Sequence, residues 1–327
     1  MSTKSQNSRS GAISILPRVL NRLLRRLGYE LVPHAASSKK AIEPPPMHAH
    51  PLTALVRSRS MGPSAFACPL DQIVMLNGFG FGPSGWHPFS AALEQFAADS
   101  ISVFGDSVLR QFYTLWQPGD AAEAVAGFTH PPAVLRGAPP HGYHFTPWST
   151  LSLNETIEEI RRYYAADYVE HHCPDLRLEV DGFKFHGPVS TELGRVELDR
   201  LIRVHRALGR LGYDRSHGDI NVYILRRGSE FRFVCRGGVH RLAAMKALGH
   251  TSIPAQLRPP YLVDIQDLEH WPQVENGHWE AESAKRYFDH LFDFDARNWA
   301  RIRGLAETAR APAHAGTLTQ VTTQGGY

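Results

Sequence analysis

Apolar residues recur at helical spacing over three long stretches of the chain and alternate over two short ones. In residues 13–31, Leu16, Leu20, Leu23 and Leu27 fall at i, i+4, i+7 and i+11, with Val19 and Leu24 alongside. Arg18, Arg22, Arg25 and Arg26 take much of the remaining surface, which predicts a basic amphipathic helix. In 153–171, Ile157, Ile160, Tyr164 and Tyr168 share one face, with Asn154 as the expected cap. In 192–211, Leu198, Leu201, Ile202, His205, Leu208 and Leu211 form the stripe, and Gly212 ends it. Residues 220–225 read as a strand and 226–230 as a turn. From 231, Phe231, Phe233 and Cys235 alternate with Arg232, Val234 and Arg236, the signature of a second strand. Gly237 and Gly238 permit a sharp turn, and residues 239–248 are good helix formers that stop at Gly249. A further strand is expected at 253–257.

The remaining pattern is less regular. Strands are expected at 72–76 and 101–104, helices at 88–98 and 107–116, and a loop-rich stretch at 129–147. Residues 176–185 read as a strand or hairpin turning at Asp181-Gly182. Residues 261–310 are aromatic, acidic and helical in character. Residues 33–64 read as a linker, with AASSKK and EPPP runs, and 1–12 and 311–327 as polar, disordered ends. The fold class expected is α+β. A compact domain at 185–260 follows an α/β region at 65–184 and precedes a helical extension at 261–310.

Composition sets limits on partners. The chain has 327 residues and a formal net charge of +3. Residues 1–40 carry eight Lys or Arg against Glu30 alone, a net +7, so the remainder stands at −4. A mildly acidic body argues against its being a general DNA-binding surface, and specific DNA binding is not expected, while the basic arm suits an anionic membrane surface or a protein partner through residues 13–31. Three scattered cysteines, Cys68, Cys173 and Cys235, do not make a disulfide framework and favour a reducing, cytoplasmic setting. No apolar run approaches the ~20 residues that cross a bilayer.

The chemistry concentrates at the glycine pair. A helix starting at Val239 places free N–H groups, His240 and Arg241 together after a turn whose backbone can approach a ligand closely, and such an arrangement favours an anion. The order helix, strand, strand, Gly237-Gly238-Val239-His240-Arg241, helix, Ile253-Pro254 resembles the ParB/sulfiredoxin-like fold over about 190–257. Sulfiredoxins carry Gly-Gly-Cys-His-Arg at this turn, and ParB proteins Gly-Glu-Arg-Arg. The resemblance implies that Gly237, Gly238, His240 and Arg241 hold nucleotide phosphates. It also implies ATP or another nucleotide with Mg²⁺ as the cofactor. The chain departs from both families at Val239, where the sulfiredoxin cysteine and the ParB glutamate stand. Valine is neither a nucleophile nor a base. Cys235, in the strand before the turn, is expected to point into the core.

Other residues are weighed for the same pocket. Arg203 and Arg206 lie on the preceding helix, from which both could reach phosphate. Glu197 and Arg200, at i and i+3, read as a surface ion pair. Asp219, in the loop before the strand at 220, is the candidate catalytic residue, as a Mg²⁺ ligand or proton acceptor.

Three further motifs are weaker. Gly80-Phe81-Gly82-Pro83-Ser84-Gly85 matches a dinucleotide fingerprint, but Pro83 and Pro88 spoil the helix start. Gly105-Asp106-Ser107 with Asp267-Leu268-Glu269-His270 has the form of a hydrolase pair. His171-His172-Cys173 lacks a second pair at zinc spacing, so no metal site is expected.

The function expected is a nucleotide- or phosphate-binding protein, with small-molecule phosphotransfer as the activity. The alternatives are a silent regulatory module recruited to a membrane or enzyme complex, and a ParB-like DNA-binding protein or nuclease.

Overall fold

The computed structural model describes residues 44–60 and 62–306. The amphipathic helix expected at 13–31, the two polar ends and the first part of the expected linker lie outside the described residues.

The elements run β1 (Met47–His48), α1 (Pro51–Ser60), β2 (Ala65–Pro69), β3 (Ile73–Val74), α2 (Pro88–Asp99), α3 (Val108–Leu115) and α4 (Leu153–Glu170). They continue with α5 (Leu178–Asp181), β4 (Gly182–Phe183), β5 (His186–Val189), α6 (Thr191–Leu211), β6 (Ile220–Arg227), β7 (Glu230–Gly237), α7 (Val239–Ala247) and β8 (Ser252–Asp264). Three helices follow: α8 (Pro272–Glu275), α9 (Ala281–Asp293) and α10 (Ala296–Ile302). The fold is α+β.

One six-stranded mixed sheet, in the order β1-β2-β8-β6-β7-β3, organises the molecule. β6 and β7 form an antiparallel hairpin in which Val222 faces Cys235 and Ile224 faces Phe233. β8 joins β6 in parallel and β2 antiparallel. β3 closes the far edge by pairing in parallel with β7, Ile73 opposite Phe233. Strands from the 65–184 region therefore flank those of 185–260 in the same sheet. Tyr223 alternates with its neighbours on β6, and its hydroxyl accepts from the Trp148 indole at 3.2 Å. Trp148 stacks on Tyr287 of α9, which seats the C-terminal helices against the sheet.

Several local expectations are corrected. The linker expected at 33–64 includes β1 and α1. Ala54 and Leu55 of α1 are buried, and the proline run at 44–46 leads directly into an edge strand. No strand forms at 101–104, where the chain enters a 3₁₀ turn at Phe104–Asp106. The segment 176–185 is a short helix that breaks at Gly182, φ +89°, before the two-stranded β4–β5 sheet. The strand expected at 72–76 is only two residues long, and β8 runs on to Asp264. The cap of α4 is Ser152, not Asn154. Its hydroxyl receives the Glu155 N–H while the Glu155 carboxylate receives the Ser152 N–H, a reciprocal capping box.

Candidate functional site

β7 delivers the chain to Gly237, and Gly238 then caps α7 with φ +86°. A side chain at 238 would put its Cβ 2.6 Å from Ile220 Cδ1, so both the backbone angle and the space call for glycine. Among the described residues nothing accepts from the N–H groups of Val239, His240 or Arg241. Leu242 is the first in the helix to be satisfied, by Gly238 O at 3.0 Å. The Arg241 guanidinium lies beside Gly238, its Nη2 only 3.2 Å from where a Cβ would sit. Through Nη1 it donates to Gly218 O and, at 3.4 Å, to the Tyr213 hydroxyl, and it rests 5.6 Å over the Tyr213 ring. Its Nε and Nη2 have no acceptor among the described residues. At the neighbouring strand end, Arg258 Nε donates to Asn221 Oδ1 at 3.1 Å. Gly237, Gly238 and Arg241 thus lie together at the start of α7.

His240 does not join them. The residue is 8% exposed, and its ring packs 5.2 Å from the Phe89 ring and sets Nε2 2.7 Å from Glu197 Oε2. Successive helical residues lie about 100° apart, so Arg241 faces outward while His240 faces the core. Asp219 is buried, and both its oxygens are taken by Arg215, at 2.9 and 2.6 Å. An aspartate bound in this way has no free face for Mg²⁺ or for a substrate proton. Arg203 is exposed on α6 and donates at 3.4 Å to Asp199 O of its own helix. No hydrogen bond or ion pair joins it to the turn. Cys235 is buried as expected, and burial first of all pushes its thiol up to about 11.

Beneath the turn lies a charge network that sequence reasoning missed. Asp167 of α4 accepts from Lys184 Nζ at 3.0 Å and, through both oxygens, from Arg200 at 3.0 and 3.2 Å. Arg200 also donates to Glu197 Oε1 at 3.2 Å, and Glu197 completes the chain to His240. Glu197 is fully buried, Lys184 is 3% exposed and Arg200 7%. The pair expected on the surface is therefore inside. Burial raises the Glu197 carboxyl, but His240, Lys184 and Arg200 together outweigh it and hold it at about 2. Asp167 is likewise raised by burial, yet Lys184 and Arg200 bring it well below the usual carboxylate range. Burial lowers His240 to about 4 against the pull of Glu197. With His240 neutral, the network balances two cations against two anions. Its Nε2–H donates to Glu197.

The weaker motifs resolve into structural roles. The 80–85 loop is a tight turn, buried at Gly80–Gly82 and exposed at Pro83 and Ser84. A Cβ at Gly82 would meet Asp71 O at 2.6 Å, and Phe81 stacks on His87 within the core. Ser107 is 1% exposed and caps α3, donating to Phe104 O at 2.8 Å and accepting from the Arg110 N–H at 3.2 Å. His270 is exposed and faces Glu275 at 3.4 Å. His171 leans on Asp167 at 3.4 Å. Among the described residues no group of three or more His, Cys, Asp or Glu side chains is arranged to hold a metal ion.

No protein family, curated protein or solved structure matches this chain. The site is therefore read from its own geometry. Its donors are three backbone N–H groups at the start of α7 and one arginine fork. Among the described residues no helix is long and apolar enough to cross a membrane.

Proposed function

We propose that the protein binds a phosphate-bearing small molecule, with nucleotides the first class to test, at the Gly237–Arg241 turn. One observation carries this reading. Three unsatisfied N–H groups of α7 and the free Nε and Nη2 of Arg241 stand beside Gly238, whose φ of +86° and close packing against Ile220 call for glycine. The similarity of the turn to those of ParB/sulfiredoxin-like proteins supports it. Binding is favoured over phosphotransfer because the turn lacks a base. Val239 is inert, His240 is buried against Glu197, and Asp219 is locked to Arg215. A regulatory module in the cytoplasm, which keeps its cysteines as free thiols, fits this reading. Recruitment to an anionic membrane through residues 13–31 belongs to the same proposal, and vesicle flotation with and without residues 1–32 tests it.

The experiment is titration calorimetry and thermal shift with ATP, ADP, CTP, GTP and pyrophosphate, each with and without Mg²⁺. A ligand at a hundred times its Kd adds about 2.7 kcal/mol of stability. The expected result is binding by at least one ligand, little affected by Mg²⁺ and abolished in Arg241→Ala. No stabilisation by any of them overturns the proposal, and turnover of a bound nucleotide overturns its non-catalytic form.

A further inference from the structure

The net charge of the body conceals an uneven distribution of charge along the chain. Residues 199–258 contain twelve Lys or Arg and four Asp or Glu, a net +8, so the rest of residues 41–327 stands at −12. Within the basic segment, Arg203, Arg206 and Arg210 occupy i, i+3 and i+7 of α6 and share one face. All three are exposed. Several other arginines are paired with carboxylates: Arg195 with Glu192 at 2.5 Å, Arg200 with Asp167, Arg215 with Asp219, and Arg227 with Asp293, while Arg232, Arg241 and Arg258 donate to neutral oxygens instead. Arg203, Arg206 and Arg210 have no such partner among the described residues. The helix dipole accounts for Arg210 in the last turn but not for Arg203 and Arg206 further up.

We propose that the outer face of the C-terminal half of α6 binds the sugar–phosphate backbone of a nucleic acid without regard to sequence. This inference is independent of the ligand proposed for the turn. The stripe spans about 10 Å along the helix axis, enough for three guanidinium forks to meet successive phosphates of one strand. The residues are arginines throughout, whose planar fork suits a phosphodiester. Arg206 lies 5.1 Å over the Phe96 ring, and His205 meets the same ring edge-on at 5.9 Å. Partly exposed rings beside arginines are a feature of surfaces that follow a single strand. A lipid surface fits less well. The exposed large apolar residue of α6, Leu211, lies about 100° around the helix from the centre of the stripe.

The test is fluorescence anisotropy of short labelled single-stranded RNA and DNA, and of duplex DNA, with the full chain between about 50 and 200 mM salt. Each phosphate contact contributes about 0.7 to 0.9 to the slope of log K against log salt, so R203Q/R206Q/R210Q is expected to lower that slope by about 2 to 3. Its affinity is expected to fall at least tenfold. The basic arm at 1–40 is present in both proteins and cancels in the comparison. Circular dichroism melting confirms that the variant folds. An unchanged slope and affinity assigns all binding to the arm and overturns the proposal, as does the absence of binding. Loss of binding to phosphatidylserine vesicles with nucleic-acid binding retained replaces this partner with a membrane.

Discussion

Glu197 Oε2 lies 2.7 Å from His240 Nε2, and this bond ties the middle of α6 to the first turn of α7 beneath the glycine pair. It divides the His-Arg dipeptide between two tasks, with the imidazole holding the core and the guanidinium facing outward. Removing the carboxylate leaves Lys184 and Arg200 with only Asp167 to balance them. Glu197→Ala is expected to cost about 3 to 5 kcal/mol in urea unfolding, and Glu197→Gln less. A loss below about 1 kcal/mol for the alanine variant would show that the network contributes little.

Acid should weaken the fold in two stages. Burial lowers His87 and His144 to about 3 and His186, His240 and His290 to about 4, from 6.5. The unfolded chain therefore takes up protons first as pH falls. Stability is complete above about pH 6.5 and declines toward pH 4, by about 1.4 kcal/mol per pH unit for each proton bound only on unfolding. Glu197 behaves in the opposite sense of charge but the same direction. Its ionised form stabilises the fold above about pH 4.5, and that contribution disappears as pH drops through about 2. Urea midpoints at pH 8, 6 and 5 check this, and a flat profile contradicts it.

Ser107→Ala removes a helix cap. The expected loss is about 1 kcal/mol, seen as a melting temperature lower by a few degrees. Hydrolysis of a nitrophenyl ester should be the same background rate in both proteins. A rate that falls with the serine would restore the hydrolase reading.

Gly238→Ala strains the turn twice, through φ +86° and through the Ile220 contact. A cost of about 1 to 3 kcal/mol is expected. Phosphate-ligand affinity should weaken more than in Gly249→Ala, where φ is also positive but no atom lies within 4 Å of the added Cβ. Equal affinities in the two variants would move the ligand away from the turn.

The periodic segments were legible in sequence. α6, the β6–β7 hairpin and α7 follow from spacing and glycine stops within a residue or two. The β2–β8 pairing was not, because nothing local at Ala65–Pro69 specifies a partner nearly two hundred residues away. The turn was half legible. Its backbone and Arg241 stand where expected, while His240 turned inward because a buried acceptor was waiting on another helix. A signal for that acceptor existed. Glu197 lies four residues after Leu193 and four before Leu201, on the apolar stripe itself, and a charge in that position implies buried partners. Asp167 and Lys184 come from α4 and the β4–β5 connection, and only tertiary structure brings them there.

The order of strands also sets a timetable. β3 lies at one edge of the sheet and pairs with β7, 160 residues further along the chain, while β2 waits for β8. A ribosome adding about 5 to 20 residues per second needs roughly 8 to 30 s to make that interval. Through it the first strands have no sheet to join, and the nascent chain must shield them until the central hairpin emerges.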